Sequence, residues 1–242
     1  MHNFIMPNQL DCYINMTPVA TEMFDRIFHS GFRMLGYKYL RHQKSYKYDT
    51  RVNTVPLRID LEKFTLSKSQ RIVLRRNKDL IVKTKTPKMT LAEKKMFKKH
   101  YNKVEPFGTS ELWDFIPPVE CLPFGKKFQI QKPTGQHIAT SYIHWGKDAV
   151  SGTYCIYDPD ESHQRSIGIF TMLLELEYAR KLGAKYYYHG YAFDIPSAMD
   201  YKFNFTALES FDWKTRTWQP IERRPARNWR EDFKDMFEHE PF

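Results

Sequence analysis

The apolar residues of this chain change period several times, and each change marks an element. "MTPVATEMFDRIFHSGF" places Val19, Met23, Phe24, Ile27 and Phe28 on one side of a helix. Thr17 is suited to cap it, Pro18 to its first position and Gly31 to its exit. From Lys38 to Leu61 the pattern alternates, which predicts strands with polar connections. "FTLSKSQRIVLRRNKDL" restarts a helix, with Ser67 and Gln70 at capping-box spacing. Thr90 and Glu93 repeat the device before a helix that offers Leu91, Met96 and Tyr101 for packing. A Pro- and Gly-rich stretch from Val104 to Phe128 reads as a boundary or a long crossover. Two β-rich runs, "FQIQKPTG" and "HIATSYIHWGKDAVSGTYCIYD", come after it. A helix over about Ser166–Leu182 turns Ile167, Phe170, Leu173, Leu174 and Tyr178 inward and closes at Gly183. "AKYYYHGYAF" is a strand, and the tail from Ile221 is expected to wrap back as a helix or lie partly loose. These elements imply an α+β protein with a smaller basic region, residues 1–105, and a larger domain, residues 106–242.

Composition narrows the class. The chain is 41% hydrophobic and 27% charged, ordinary for a soluble fold, while 16% aromatic residues favour ring-lined surfaces. No apolar run approaches the ~20 residues of a membrane span. The first residues lack a signal-peptide pattern, so a cytoplasmic protein with no membrane partner is expected. Cys12, Cys121 and Cys155 are scattered, and neither CxxC nor HxxxH occurs, which predicts a reduced chain without a structural metal.

The net charge is +10, concentrated between Lys63 and Lys103, where fourteen Lys and Arg stand against Asp79 and Glu93 alone. On the Ser67 helix, Lys68, Arg71, Arg75 and Lys78 share a face; on the next, Lys94, Lys95, Lys98 and Lys99 cover the outer side. Such a block attracts polyanions without choosing among them, and a solvated surface explains it equally well.

A strand ending in "YCIYDPD", a polar turn and "QRSIGIF" opening a helix resemble the acyl-CoA site of the GCN5-related acetyltransferase (GNAT) superfamily. Arg165, Gly168 and the helix start fit its phosphate loop, since free amides and the positive helix end face an anion there. Phe170 stands where a small residue would let a diphosphate approach, so the resemblance implies the scaffold with a donor other than CoA. Four blocks in order, "FTLSKSQRIVLRRNKDL", "SGTYCIYDPDESHQRSIG", "LELEYARKLGAKYYYHGY" and "SAMDYKFNFTALESFDW", resemble the arginyl/leucyl-tRNA–protein transferases. The similarity is to the bacterial branch of aspartate/glutamate leucyltransferases and runs from about "HSGFRMLGYKY" to Trp218.

That resemblance implies transfer of Arg or Leu from aminoacyl-tRNA to the N-terminal amine of an acceptor protein or peptide. Asp or Glu would be preferred at that terminus, the product would be tagged for N-degron degradation, no cofactor would be needed, and the enzyme would be a monomer. It also gives the basic faces a partner, because A-form RNA is held mainly through its backbone. The chain departs from the family in three places. Bacterial relatives carry a cysteine cluster where this chain has Tyr48, Arg51 and Thr54, so no metal or iron–sulfur centre can be held there. His189 takes an aliphatic position in "YYYHGY", and Ala207 replaces a proline. A tRNA-dependent transferase acting on a peptide or small amine, a CoA-dependent N-acyltransferase and a non-catalytic RNA- or N-terminus-binding protein are the alternatives.

Asp158 is expected to receive the acceptor ammonium or the donor α-amine, while Asp160 serves the turn. Tyr154, Tyr157, Tyr188 and Tyr191 end neighbouring strands and can grip the terminal adenine or donate hydroxyls. Strand alternation puts Tyr187, His189 and Tyr191 on one face and Tyr186 and Tyr188 on the other, with Tyr186 and Tyr187 packing. His189 is a proton-relay candidate, although a strand histidine is more often structural. Arg165 and Ser166 face a phosphate or the terminal ribose, with helix capping the other use of Ser166. Lys202 would contact RNA or an acidic acceptor side chain, Met199 and Tyr201 would line the pocket, and Arg33 and Arg58 would read the acidic acceptor.

Overall fold

Val, Ile and Tyr dominate the alternating runs, and in the computed structural model these runs join one large mixed sheet. Residues 12–15, 21–36, 38–47, 50–104, 110–116 and 124–222 are described. The sheet has nine strands: β4 (Lys44–Lys47), β5 (Thr50–Asp60), β6 (Ile81–Lys85), β7 (Gly125–Gln131), β8 (His137–Trp145), β9 (Ala149–Tyr157), β10 (Tyr186–Phe193), β11 (Leu208–Asp212) and β12 (Thr217–Pro220). Its order is β12-β11-β5-β10-β9-β8-β7-β6, with β4 paired to β5. Residues on both sides of position 105 therefore share one sheet. β9 and β10 run parallel and the other ladders antiparallel. A smaller sheet, β1 (Cys12–Asn15), β3 (Lys38–Arg41) and β2 (Arg33–Leu35), is hydrogen-bonded separately, with β2 packed on β9 and β10.

Helices cover both faces. α2 (Lys68–Arg76) packs beside α5 (Ile167–Lys181), whose Leu173, Leu176 and Ala179 cover Ile59, Phe128, Ile143, Val150 and Tyr187. On the opposite face α1 (Thr21–His29) buries Phe24 and Phe28 against Tyr39, Ala149 and Tyr188. α3 (Leu91–Val104) shares that second face, where Phe97 meets Tyr142 and Ile156. α4 (Pro159–Arg165) bridges the two sides at one end, touching both α3 and α5.

Local signals explain several boundaries. The Ser67/Gln70 capping box forms at α2. At α3 the Thr90 amide donates to Glu93 Oε2 at 2.7 Å, and Thr90 Oγ1 accepts from the Glu93 amide at 3.3 Å. α1 ends before Gly31, at φ +82°, where a Cβ would lie 2.9 Å from the buried Phe211 ring. Thr17, Pro18, Tyr48, Cys121 and the tail beyond Glu222 lie outside the described residues.

Other expectations need correction. The "YDPD" turn is a helix, α4, whose Asp158 carboxylate accepts from the Asp160 amide at 3.0 Å. Ser166 does not cap α5: it sits in the left-handed region at φ 52°, ψ 47°, forced there by the reversal between α4 and α5, and its side chain makes no capping bond. Leu91 is 70% exposed, because packing is taken by Met96, Phe97 and Tyr101 further along α3. Phe170 points into the core with Leu80, Ile130, Ile138 and Ile167 and does not shield the helix start.

A buried ion pair ties α3 to the sheet. Glu93, fully buried, takes Lys127 Nζ at 2.6 Å and also Thr140 Oγ1 at 3.2 Å. Burial would raise the Glu93 pKa, but Lys127 and Thr90 outweigh it and hold the carboxyl below its ordinary 4.5. This contribution to stability is present above the unfolded pKa and is lost as pH falls through the lower folded value. Glu93→Gln or Lys127→Met alone should cost about 3–5 kcal/mol in chemical denaturation, because each leaves a buried group unpaired. The double variant should lose far less than the sum; additive losses would show that the pair is not coupled.

Gly152 on β9 has no room for a side chain. A Cβ there would lie 2.2 Å from Tyr187 Oη and 2.6 Å from Glu175 Oε2, both deep in the core. Gly152→Ala should destabilise by about 1–3 kcal/mol in the same assay.

Candidate functional site

β9 and β10 begin side by side. Ala149, Val150 and Ser151 pair with Tyr186, Tyr187 and Tyr188, and there the parallel ladder stops. Beyond it β9 continues against β8 and β10 against β5. Each strand carries a bulge at the parting. Tyr142 and Ile143 oppose Tyr154 and Gly152, leaving Thr153 as the extra residue. Arg58 and Leu57 oppose Tyr188 and Gly190, leaving His189.

An extra residue bends a strand and reverses the facing of the side chains beyond it. Val150 and Gly152 face α5, whereas Tyr154 and Ile156 face α3. On β10, Tyr188 packs on Phe28, and Tyr191 lies on the same side, its hydroxyl donating to Gly31 O at 2.6 Å. The expected grouping of Tyr191 with Tyr187 and His189 thus breaks at the bulge. Only Tyr187 and His189 stay together, their rings parallel with centroids 6.0 Å apart.

A cavity of about 90 Å³ opens at this fork, under the end of α1 and β2. Its polar lining is Arg33, Ser151, Thr153, Tyr188, His189, Tyr191 and Lys202, with Phe28, Phe32, Met34, Leu57 and Trp218 among the apolar walls. Lys202 is carried by the 3-10 turn Asp200–Asn204, and its Nζ donates to Tyr191 O at 2.8 Å. The Arg33 guanidinium lies 4.9 Å over the Tyr191 ring, and its buried Nε has no hydrogen-bond partner.

No Asp or Glu stands among the described lining residues. Burial lowers the Arg33 pKa, against a weaker pull from Tyr191. Burial, then the Arg33 charge, brings Lys202 down to about 7. Burial and the Lys202 charge take His189 to about 3, outweighing the backbone of Lys202 and Tyr187 beside it, so its imidazole is neutral at working pH. Lys202, buried, and Arg33, half-buried with its Nε enclosed, have no counter-charge among the described lining residues, an electrostatic vacancy that a carboxylate or phosphate can fill.

The fork gathers Arg33, Tyr188, His189, Tyr191 and Lys202, five of the residues singled out in the sequence. The others are placed elsewhere. Arg58 is held by Glu209 at 2.6 Å, donates to Tyr188 Oη at 3.2 Å and lies 3.7 Å from the Tyr186 ring centroid, so its charge is already engaged. Asp158 starts α4 and binds Lys99 at 2.6 Å, and Lys99 also reaches Asp160 at 2.8 Å. Burial would raise the Asp158 pKa, but the Lys99 hydrogen bond and the Asp160 amide keep it below the ordinary value.

Tyr157 stacks near His100, with centroids 4.1 Å apart, and burial raises its pKa. Tyr154 lies on Phe115, with centroids 4.6 Å apart. Arg165 is clasped by both oxygens of Asp79, at 2.8 and 3.0 Å, beside the left-handed Ser166. Met199 and Tyr201 are exposed near Lys202. Lys68, Arg71 and Arg75 are exposed on α2, and Lys78, expected on the same helix face, is exposed in the turn beyond the Asn77 cap, while Lys94, Lys95, Lys98 and Lys99 line α3 on the other face. Lys98 pairs with Glu111 at 3.1 Å.

Several residues at the fork escaped the sequence reading. Glu175 is buried on α5 and accepts from Tyr187; burial raises it to about 7. Thr171, Glu175 and Ala179 recur at helical spacing on the buried side of α5, a signal that an acid was being turned inward. Thr153, whose hydroxyl meets His144 Nδ1 at 2.7 Å, had no such signal, because a bulge arises from pairing with a distant strand.

The family model described as "Arginine-tRNA-protein transferase, C terminus" matches residues 77–212, more than half of the chain. An aspartate/glutamate leucyltransferase of Xanthomonas axonopodis pv. citri is 30% identical over 169 residues, 65% of this chain and 66% of that protein. One of Saccharophagus degradans is 26% identical over 202 residues, 80% of this chain and 81% of that protein. The matched segment thus spans just under two thirds of the first relative's length. Among solved structures, FemX is similar at TM-score 0.48 and 10% identity, over 78% of this chain and 65% of that one. L-PGS from Bacillus licheniformis is similar at TM-score 0.43 and 12% identity, over 62% and 52%. The match over residues 77–212 decides the family: this chain belongs to the arginine-tRNA-protein transferases.

Proposed function

We propose that this protein transfers a leucyl or arginyl group from tRNA to the N-terminal amine of an acceptor protein or peptide whose first residue is Asp or Glu. The product is tagged for N-degron degradation, and the enzyme works in the cytoplasm as a monomer. The observation that carries this reading is the pair of enclosed basic groups, Arg33 and Lys202, lining a cavity with no Asp or Glu among its described residues. An acceptor whose first side chain is a carboxylate supplies the missing charge while its amine is held beside it. The family match and the aspartate/glutamate leucyltransferases among the relatives support the same reaction.

In that reaction the neutral amine attacks the ester carbonyl carbon. The new C–N bond forms, the bond from the carbonyl carbon to the ribose oxygen breaks, and the proton leaving the amine ends on that oxygen. An aminoacyl ester is already activated, so holding amine and ester together supplies much of the acceleration, with effective molarities of about 10⁵ M or more for oriented pairs. His189 cannot act as an imidazolium acid with its pKa near 3, and it serves the reaction as a neutral dipole. Met199 and Tyr201, exposed on the turn that carries Lys202 and outside the cavity lining, offer an apolar surface for the donor residue.

Labelled aminoacyl-tRNA mixtures offered to peptides differing only in the first residue test the proposal. Leu or Arg should pass to Asp and Glu peptides and not to Asn or Gln peptides. Transfer that ignores the acceptor's charge, or no transfer, overturns it.

Lys202→Met should raise KM for Asp peptides roughly 10- to 100-fold, the loss of a hydrogen bond to a charged group. Its melting temperature should not fall, since an apolar residue relieves a buried charge. Lys202 is charged below about pH 7 and neutral above it, so affinity for Asp peptides should weaken between pH 6 and 8 in the native protein and stay flat in the variant. The stability trend runs the other way. The folded pKa near 7 lies below the ordinary 10.5, so the unfolded chain binds more protons between those values and this residue's contribution rises with pH there. Lys202→Met should remove that rise.

Asp158→Asn should keep most of kcat, since the carboxylate caps α4 and pairs with Lys99 away from the cavity lining. A collapse of kcat with the fold intact would place Asp158 in the chemistry.

A further inference from the structure

The two basic helices lie on opposite faces of the sheet, and the fork cavity is roofed by the end of α1 and β2 on the face that α3 shares. We infer that the double-stranded acceptor stem of the tRNA donor lies along β6 and the start of α3, and not along α2. The inference rests on the transferase reading above and assigns the surface that reading needs.

Register fixes where the β6 lysines point. Lys83 lies opposite Gln129 and Lys85 opposite Lys127. Lys127 reaches Glu93 of α3, so Lys83 and Lys85 project on the α3 face. Lys88 comes next, in the connection to α3, and is exposed like both of them. Beside these residues runs an open groove of about 560 Å³, lined in part by Thr84, Thr86 and Thr90.

Charge separates this surface from its surroundings. Between Lys83 and Lys103 the chain has eight lysines and one acid, Glu93, which is already neutralised by Lys127. Further along α3, Lys98 and Lys99 are paired with Glu111, Asp158 and Asp160. Lys83, Lys85, Lys88 and Lys95 take part in no ion pair among the described residues, and Lys94 lies 4.9 Å over the Trp113 ring. These are cations that can exchange counterions for phosphates, which is how an RNA backbone is held.

Position points the same way. Phe28, Tyr188 and Tyr191 line the cavity on the face that α1 and α3 cover, while Leu57, Gly152 and His189 line it toward α5. β6 is the sheet edge three strands from β9, about 14 Å at the usual strand spacing. A stem resting there can send its single-stranded 3′ end across that face to the fork. From α2, packed with α5 on the other face, the same end would have to pass around the sheet. Two of the α2 arginines are also engaged, Arg71 with Leu66 O at 2.6 Å and Arg76 with Gln164 O at 3.1 Å.

The test is binding of uncharged tRNA by fluorescence anisotropy across roughly 50–200 mM salt, the range over which phosphate contacts reveal themselves. One variant carries Lys83→Gln, Lys85→Gln and Lys88→Gln; the other carries Lys68→Gln, Arg71→Gln and Arg75→Gln. All six residues are exposed, and circular dichroism checks that both variants fold. The β6 variant should weaken binding about tenfold or more and flatten the slope of log K against log salt by about 3, one per lost phosphate contact. The α2 variant should stay within about twofold of the native chain, the scatter expected when no phosphate contact is removed. Loss confined to the α2 variant, equal loss in both, or loss in neither overturns the surface while leaving the transferase reading standing. Failure of the native chain to bind tRNA at any salt overturns that reading, and the surface with it.

Discussion

The parallel ladder between β9 and β10 lasts three residue pairs and then stops, and the rest of the site depends on that interruption. Thr153 and His189 each add one residue to their strand at the level where pairing ends. Two bulges side by side bend the strands apart and reverse the facing of every later side chain. Tyr187 and Glu175 crowd Gly152 on the α5 face, leaving no room there for a side chain. On the other face Tyr188 and Tyr191 come to the same side, and Arg33 and Lys202 fill the gap between them with charge.

Charge compensation elsewhere makes this gap distinctive. Glu93 answers Lys127, Glu209 answers Arg58, Asp79 answers Arg165, and Asp158 with Asp160 answers Lys99. The buried members, Glu93 with Lys127 and Arg58 with Glu209, follow the rule that a buried charge keeps a partner. Among the described residues, Arg33 and Lys202 break it in the cavity at the fork. Burying an uncompensated ammonium is costly, and a protein bears that cost where a ligand later supplies the opposite charge.

The basic surplus divides by the same logic. A sheet has two faces, and charges on opposite faces do not act on one rigid polyanion at once. α2 and α3 read alike along the chain, yet one shares a layer with α5 and the other with the cavity. What distinguishes them is neither the number of lysines nor their ion pairs, which fall on Lys98 and Lys99 of α3, but the face of the sheet each helix occupies.

Much of this molecule was legible in its residues taken in order. Capping at Ser67 and Thr90, the exit at Gly31, the α5 stripe and the strand character of "YYYHGY" depend on interactions within a few residues, which the sequence itself contains. The four motif blocks carried the family in the same way, and residues 77–212 match its model. What the order of residues could not contain is whatever depends on a distant strand. Alternation placed Tyr191 with Tyr187, but pairing with β5 inserts a bulge and moves it. Asp158 and Arg58 looked free until Lys99 and Glu209 arrived from elsewhere in the chain. Arg33 and Lys202, 169 positions apart, became one site only when β2 and the 3-10 turn closed over the fork. Local propensity is a property of neighbours in sequence, whereas charge balance and register are properties of neighbours in space, and only the folded chain determines who those are.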